Sequence, residues 1–168
     1  NTKGISNTNI YVNGTITAMD AEQGTTLGTM EIVYAAKGGK LYISMTEDDD
    51  LIKVYKNEAD EYFISDGSMW IACTNPDDIQ NAKTVLMEGQ LLYKVQNNPT
   101  GFESYRENGY YYEKMYSKWS TGADVGYIYG YTSDNQLAGV SCKLDDTVYV
   151  TIPLTLTANP NSGLFPNL

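Results

Sequence analysis

The stretch from Ala123 to Thr157, ADVGYIYGYTSDNQLAGVSCKLDDTVYVTIPLTLT, decides the fold. Apolar residues recur at every second position and each run stops at a cluster of turn formers, which predicts three long strands joined by two tight turns. In the last run Val148, Val150, Ile152, Leu154 and Leu156 share a face expected to be dry, opposite Thr147, Tyr149, Thr151 and Thr155. In the middle run Ala138, Val140, Cys142 and Leu144 oppose Leu137, Gly139, Ser141 and Lys143. The first run sets Tyr127, Tyr129 and Tyr131 against Gly126, Ile128 and Gly130. Glycine inside a strand marks a bend, a bulge or the close approach of another group. Long strands with glycine bends predict a coiled sheet whose concave face something must fill.

Working outward, the rest of the chain also reads as strand. Ile10, Val12, Ile16 and Ala18 alternate with polar residues between Asn9 and Asp20, and Met30, Ile32 and Tyr34 share a face of the run Leu27 to Ala36. Lys37-Gly38-Gly39-Lys40, Asp66-Gly67 and Asn108-Gly109 are hairpin turns. A helix is predicted once. Asn75 suits the N-cap, Pro76 the first helical position, and Asp77 and Asp78 the positive end of the dipole. Ile79, Ala82, Leu86 and Tyr93 fall on one face with Val85 beside them, and Gly89 is a candidate break. About eleven antiparallel strands with one helix balance only if the sheet curls around that helix, since wide flat sheets curl or split.

Composition narrows the function. The formal charge of -10 and a sole arginine, Arg106, argue against nucleic acid, whose phosphates need clustered Lys and Arg, and against an anionic membrane surface. With 168 residues the chain is expected to be a single domain, residues 1–168, and to act as a monomer. Its opening is polar, so residues 1–8 are expected to be a flexible tether following a removed signal segment or an upstream lipid anchor. No run of 18 apolar residues predicts a transmembrane segment. Cys73 and Cys142 occupy apolar strand positions, and whether they pair is left open because register is not visible in sequence.

Four segments resemble the bacterial LolA-like family of extracytoplasmic lipoproteins, related to outer-membrane lipoprotein sorting. They are YAAKGGKLYISM (Tyr34 to Met45), YFISDGSMWIA (Tyr62 to Ala72), the pair NGYYYEKMYS and DNQLAGV, and the closing LTANPNSGLFPNL. The resemblance implies a mainly β (α+β) fold: a strongly curved antiparallel sheet, a half-barrel, with a helix packed in its concave face. It also implies an extracytoplasmic protein, secreted or anchored through an N-terminal lipid, whose partner is a hydrophobic small molecule or acyl chain held between sheet and helix.

The chain has no histidine, which removes Ser-His-Asp and Cys-His catalysis and the commonest zinc ligand, so no enzyme, metal or cofactor is expected. Glu88, Glu103 and Glu113 show no spacing that selects a catalytic pair. Asp48-Asp49-Asp50, Asp77-Asp78 and Asp145-Asp146 are read as turn and cap residues. The candidate ligand-binding set is Ile79, Ala82 and Leu86 of the helix with Ile32, Val150, Ile152 and Tyr129 of the sheet. Two alternatives remain: a cell-surface glycan-binding or adhesion module using exposed tyrosines, among them Tyr127, Tyr129 and Tyr131, and a structural envelope domain without a small ligand.

Overall fold

The computed structural model describes residues 8–91, 101–118 and 124–168. The strands are β1 (Asn9–Asp20), β2 (Thr26–Lys37), β3 (Lys40–Glu47), β4 (Asp50–Lys56), β5 (Tyr62–Ser65), β6 (Ile71–Ala72), β7 (Gly101–Glu107), β8 (Tyr110–Lys118), β9 (Asp124–Tyr131), β10 (Leu137–Leu144) and β11 (Thr147–Thr157). Among the described residues one α-helix, α1 (Pro76–Leu91), separates β6 from β7, and a 3-10 turn covers Ser162–Leu164. The antiparallel sheet with a helix on one face is the fold class expected from the sequence.

Local chemistry explains the boundaries. Gly38 and Gly39 have φ of 57° and 82°, and Asn108 and Gly109 have 50° and 84°. Both turns thus place two residues in the left-handed region, as the hairpin twist requires. Asp48 and Asp145 take φ of 50° at the corresponding points of two further hairpins. At the helix start the Asn75 side-chain oxygen accepts the Asp78 backbone amide at 2.9 Å, and Asn75 Nδ2 donates to the Asp78 carboxylate. The first bond satisfies one of the donors that a helix start leaves open, and the second holds the cap in place. The helix does not stop at Gly89 but continues to Leu91. Tyr93, expected on its apolar face, lies outside the described residues, as does most of the tether.

The chain resolves into two compact units interleaved in sequence. The first, here the helix unit, contains the described residues up to Asn13, Met30–Leu91 and Leu156–Leu168. Its strands run in the order β6-β5-β4-β3-β2. Register places Tyr34, Ile43, Val54, Ile64 and Ile71 in one cross-strand row. Helix α1 packs on this face over β3, β4 and β5, burying Ala82 and Leu86. The opposite face carries Ala35, Tyr42 and Tyr55, flanked by Phe63 and Trp70 and covered by Leu164 and Phe165. That cover is tied down where Lys37 Nζ donates to the Pro160 carbonyl at 3.2 Å and Asn9 Nδ2 to Asn159 Oδ1 at 2.9 Å.

The second, the tyrosine unit, contains Gly14–Thr29, β7 through β10, and β11 as far as Thr155. Its order is β11-β10-β9-β8-β7. One face buries Met115, Val125, Tyr127, Tyr129, Val140, Cys142 and Thr151. The tyrosines Tyr127 and Tyr129 are therefore core residues, stacked with ring centroids 6.2 Å apart, and cannot serve as the exposed glycan platform.

The dry face expected for β11 holds at Leu154, which is buried, and is corrected at Ile152: Thr151 is 1% exposed and Ile152 61%. The cause is register: Thr151 pairs with Val140, and Val140 with Tyr129, so Thr151 joins the buried tyrosine face and Ile152 the other. Threonine fits because its shape approximates valine, although its hydroxyl has no hydrogen-bond partner among the described residues. Ile152 lies instead over Gly139, where an added Cβ would come within 2.5 Å of Ile152 Cγ1. The glycine thus provides room for a neighbouring side chain. Cys73 and Cys142 are both free thiols.

Candidate functional site

The helix unit carries a cleft because α1 is narrower than the sheet beneath it. The helix covers Ile43 and Val54, which are 0% and 1% exposed. Beyond its edge, Ile64 and Ile71 of the same row are left open, as is Ile52, two residues before Val54 on the same face of β4. Met69, on the connection between β5 and β6, completes an apolar wall, and Ala82 and Val85 of α1 form the facing side. The volume of this open cleft is about 610 Å³. Small-molecule sites usually occupy roughly 300–1,000 Å³.

One end of the cleft is polar. Asp66 Oδ1 accepts the Ser68 amide at 2.9 Å and the Ser68 hydroxyl at 2.6 Å. The hydroxyl bond, with the amide bond after it, holds the Asp66 carboxyl below its usual range, so it is ionised at neutral pH. Gly67, at φ 101°, turns the chain over Leu51, and an added Cβ would meet Leu51 Cδ2 at 2.8 Å. The Asp-Gly turn therefore sets both the lip of the cleft and its charge. Asn81 adds an amide from the helix side.

A second concavity of about 590 Å³ lies in the same unit, lined by Tyr62, Phe63, Cys73, Ile79 and Lys83 with the acids Asp60 and Glu61. Lys83 Nζ stands 5.5 Å from the centroid of the Tyr62 ring. Burial, then the nearby Asp78 charge, raise the Cys73 thiol. A raised thiol stays protonated, and so less nucleophilic, at neutral pH.

The residues predicted from sequence are distributed as follows. Ala82 lines the apolar cleft, Ile79 the mixed concavity, and Leu86 and Ile32 are buried in the helix unit. Val150, Ile152 and Tyr129 belong to the tyrosine unit, where Val150 and Ile152 face away from Tyr129. Sequence reasoning missed Ile52, Ile64, Met69 and Ile71, which line most of the cleft. The available signal was the density of large apolar residues flanking Asp66-Gly67 in strands too short to bury them.

No family model matches the chain, and no curated protein matches it. Among solved structures it is similar to the crystal structure of the Mycobacterium tuberculosis lipoprotein LppX, at 15% identity and a TM-score of 0.46. The alignment covers 96% of this chain and 91% of that one.

Proposed function

We propose that this protein is an extracytoplasmic lipoprotein-type binding protein that holds a hydrophobic ligand, an acyl chain by class, in the cleft between α1 and β4–β6. One observation carries the reading: Ile52, Ile64, Met69 and Ile71 remain 51%, 37%, 65% and 56% exposed along a single concave wall. Contiguous exposed apolar surface in a groove is the usual mark of an apolar partner. Covering the open half of such side chains contributes about 1 kcal/mol each, since full burial is worth about 1.5–3 kcal/mol. An extracytoplasmic location goes with this reading through the family resemblance of the hairpins, and monomeric action without a cofactor is proposed alongside it. The proposed role is binding, and Glu113 is engaged by the Tyr131 hydroxyl, which donates to it at 3.0 Å.

Native mass spectrometry after incubation with a monoacylglycerol tests this. The intact protein is expected to retain one amphiphile, and Val85→Trp, which fills the cleft from the helix side, to lose it while keeping its melting temperature. Equal retention by the variant and the parent, or none by the parent, would defeat the cleft as the site.

A further inference from the structure

The tyrosine unit presents another concavity, of about 540 Å³, on the face of β8–β11 opposite the buried tyrosines. Its floor is set by Gly126 and Ile128 of β9. Three glycines occupy this face, and packing accounts for only two of them. A Cβ on Gly139 would strike Ile152 at 2.5 Å, and one on Gly130 would press on Tyr112 Cε1 at 3.3 Å. A Cβ on Gly126 would meet only the Tyr116 ring, at an ordinary 3.6 Å, and Gly126 is not among the left-handed glycines. Neither its conformation nor its protein neighbours require the missing side chain. Register runs unbroken through Gly126, so no bulge accounts for it, and of the common reasons for a glycine inside a strand a bend and the close approach of something outside the chain remain.

The groups around that bare floor define what would approach. Tyr116 stands directly opposite Gly126 on one neighbouring strand and Lys143 on the other. Those two strands lie about 9.5 Å apart, two inter-strand spacings. Lys114 brings a second ammonium, 5.3 Å from the Tyr116 ring centroid. Two ammonium groups lining one concavity favour an anion there, against the chain's net charge of -10 and with Glu103 directly across from Lys114 on β7. Ser141 and Asp145 line the same concavity. A carboxylate beside the lysines disfavours a bare inorganic anion and suits a ligand that also donates hydroxyls. A flat apolar floor beside an aromatic ring suits a saturated ring.

We propose that this concavity binds a hexuronate unit of an acidic glycan, its ring over Gly126 and Ile128, its carboxylate at Lys143 and Lys114, and its hydroxyls toward Asp145 and Ser141. This site is independent of the apolar cleft. Calorimetric titration of the intact protein with digalacturonate, the neutral galactose disaccharide and sodium acetate provides the test. Digalacturonate is expected to bind at least tenfold more tightly than the other two. Lys143→Gln is expected to weaken it about tenfold, the usual scale for one charge-assisted hydrogen bond. Gly126→Ala is expected to weaken it comparably with an unchanged melting temperature, because the protein has room for the methyl and the sugar does not. Absence of digalacturonate binding, equal binding of the neutral sugar, equal binding of acetate as for a simple anion site, or parent-like binding by folded Gly126→Ala would each overturn the proposal.

Discussion

The two units treat similar sheets in opposite ways. In the helix unit both faces are covered by other parts of the chain, α1 on one and the Leu164–Phe165 turn on the other. The surface left over is apolar and concentrated at the end of the helix's reach. In the tyrosine unit one face is buried, while the other displays Tyr105, Tyr110, Tyr112, Lys114 and Tyr116 along β7 and β8. Tyr105 and Tyr112 stack there with centroids 5.1 Å apart. The difference separates two uses of an exposed side chain. The isoleucines of the cleft gain nothing from water and call for a partner, whereas the tyrosines pack on one another, Tyr105 and Tyr110 against Tyr112.

Mutations that exchange these roles should break the comparison. The largest effect is expected at Tyr55, fully buried between Phe63 and Trp70, with centroids at 5.9 and 6.1 Å. Tyr55→Ala should cost about 3–5 kcal/mol in denaturant titration, the range for large aromatic truncations in cores. A cost under about 1 kcal/mol would show that the aromatic cluster is not a core.

An intermediate effect is expected from alkali, and it should arise in the tyrosine unit. Burial pushes the Cys142 thiol up to about 11 from an ordinary value of 9.0. The folded state therefore keeps the thiol neutral where the unfolded chain ionises it. That stabilisation is complete below about pH 9, declines as pH rises, and is gone above about pH 11, a total of roughly 2–3 kcal/mol. Burial raises Tyr129 and Tyr131 as well, with the Glu113 charge adding to the shift of Tyr131, so further loss follows at higher pH. Melting temperatures measured from pH 7 to 11 should fall above pH 9, and Cys142→Ala should flatten the first part of the decline. An unchanged slope in that variant would remove Cys142 as its source.

The smallest effect is expected at Tyr105. It is 39% exposed and held chiefly by its stack on Tyr112, so Tyr105→Ala should cost about 0.5–1.5 kcal/mol. A cost equal to that of Tyr55→Ala would erase the distinction between the two faces.

Turns and the helix start were legible in the sequence because they depend on neighbours in the chain. Gly38-Gly39, Asn108-Gly109 and Asn75-Pro76 each impose a backbone geometry or a cap that needs no tertiary information. The face of β11 was not legible. Alternation identified the strand, but Thr151 and Val150 differ too little in shape to declare which is buried, and the pairing with Val140 and Tyr129 decided it. The tyrosines Tyr127 and Tyr129 were visible as a stripe without any indication that it faced inward. Of the cleft, Ala82 was legible from helix periodicity. Ile52, Ile64 and Ile71 were not, because their exposure depends on how far α1 extends across β4–β6, a length measured in space and not along the chain.

The central claim is that the cleft beside α1 is built to be filled by an apolar chain. A crystal structure of the protein grown with a monoacylglycerol tests it most directly. Continuous density along Ile52, Ile64, Met69 and Ile71, with the glycerol end toward Asp66 and Ser68, is the expected result. A cleft holding only ordered water at saturating amphiphile, or a chain bound elsewhere on the molecule, would contradict it.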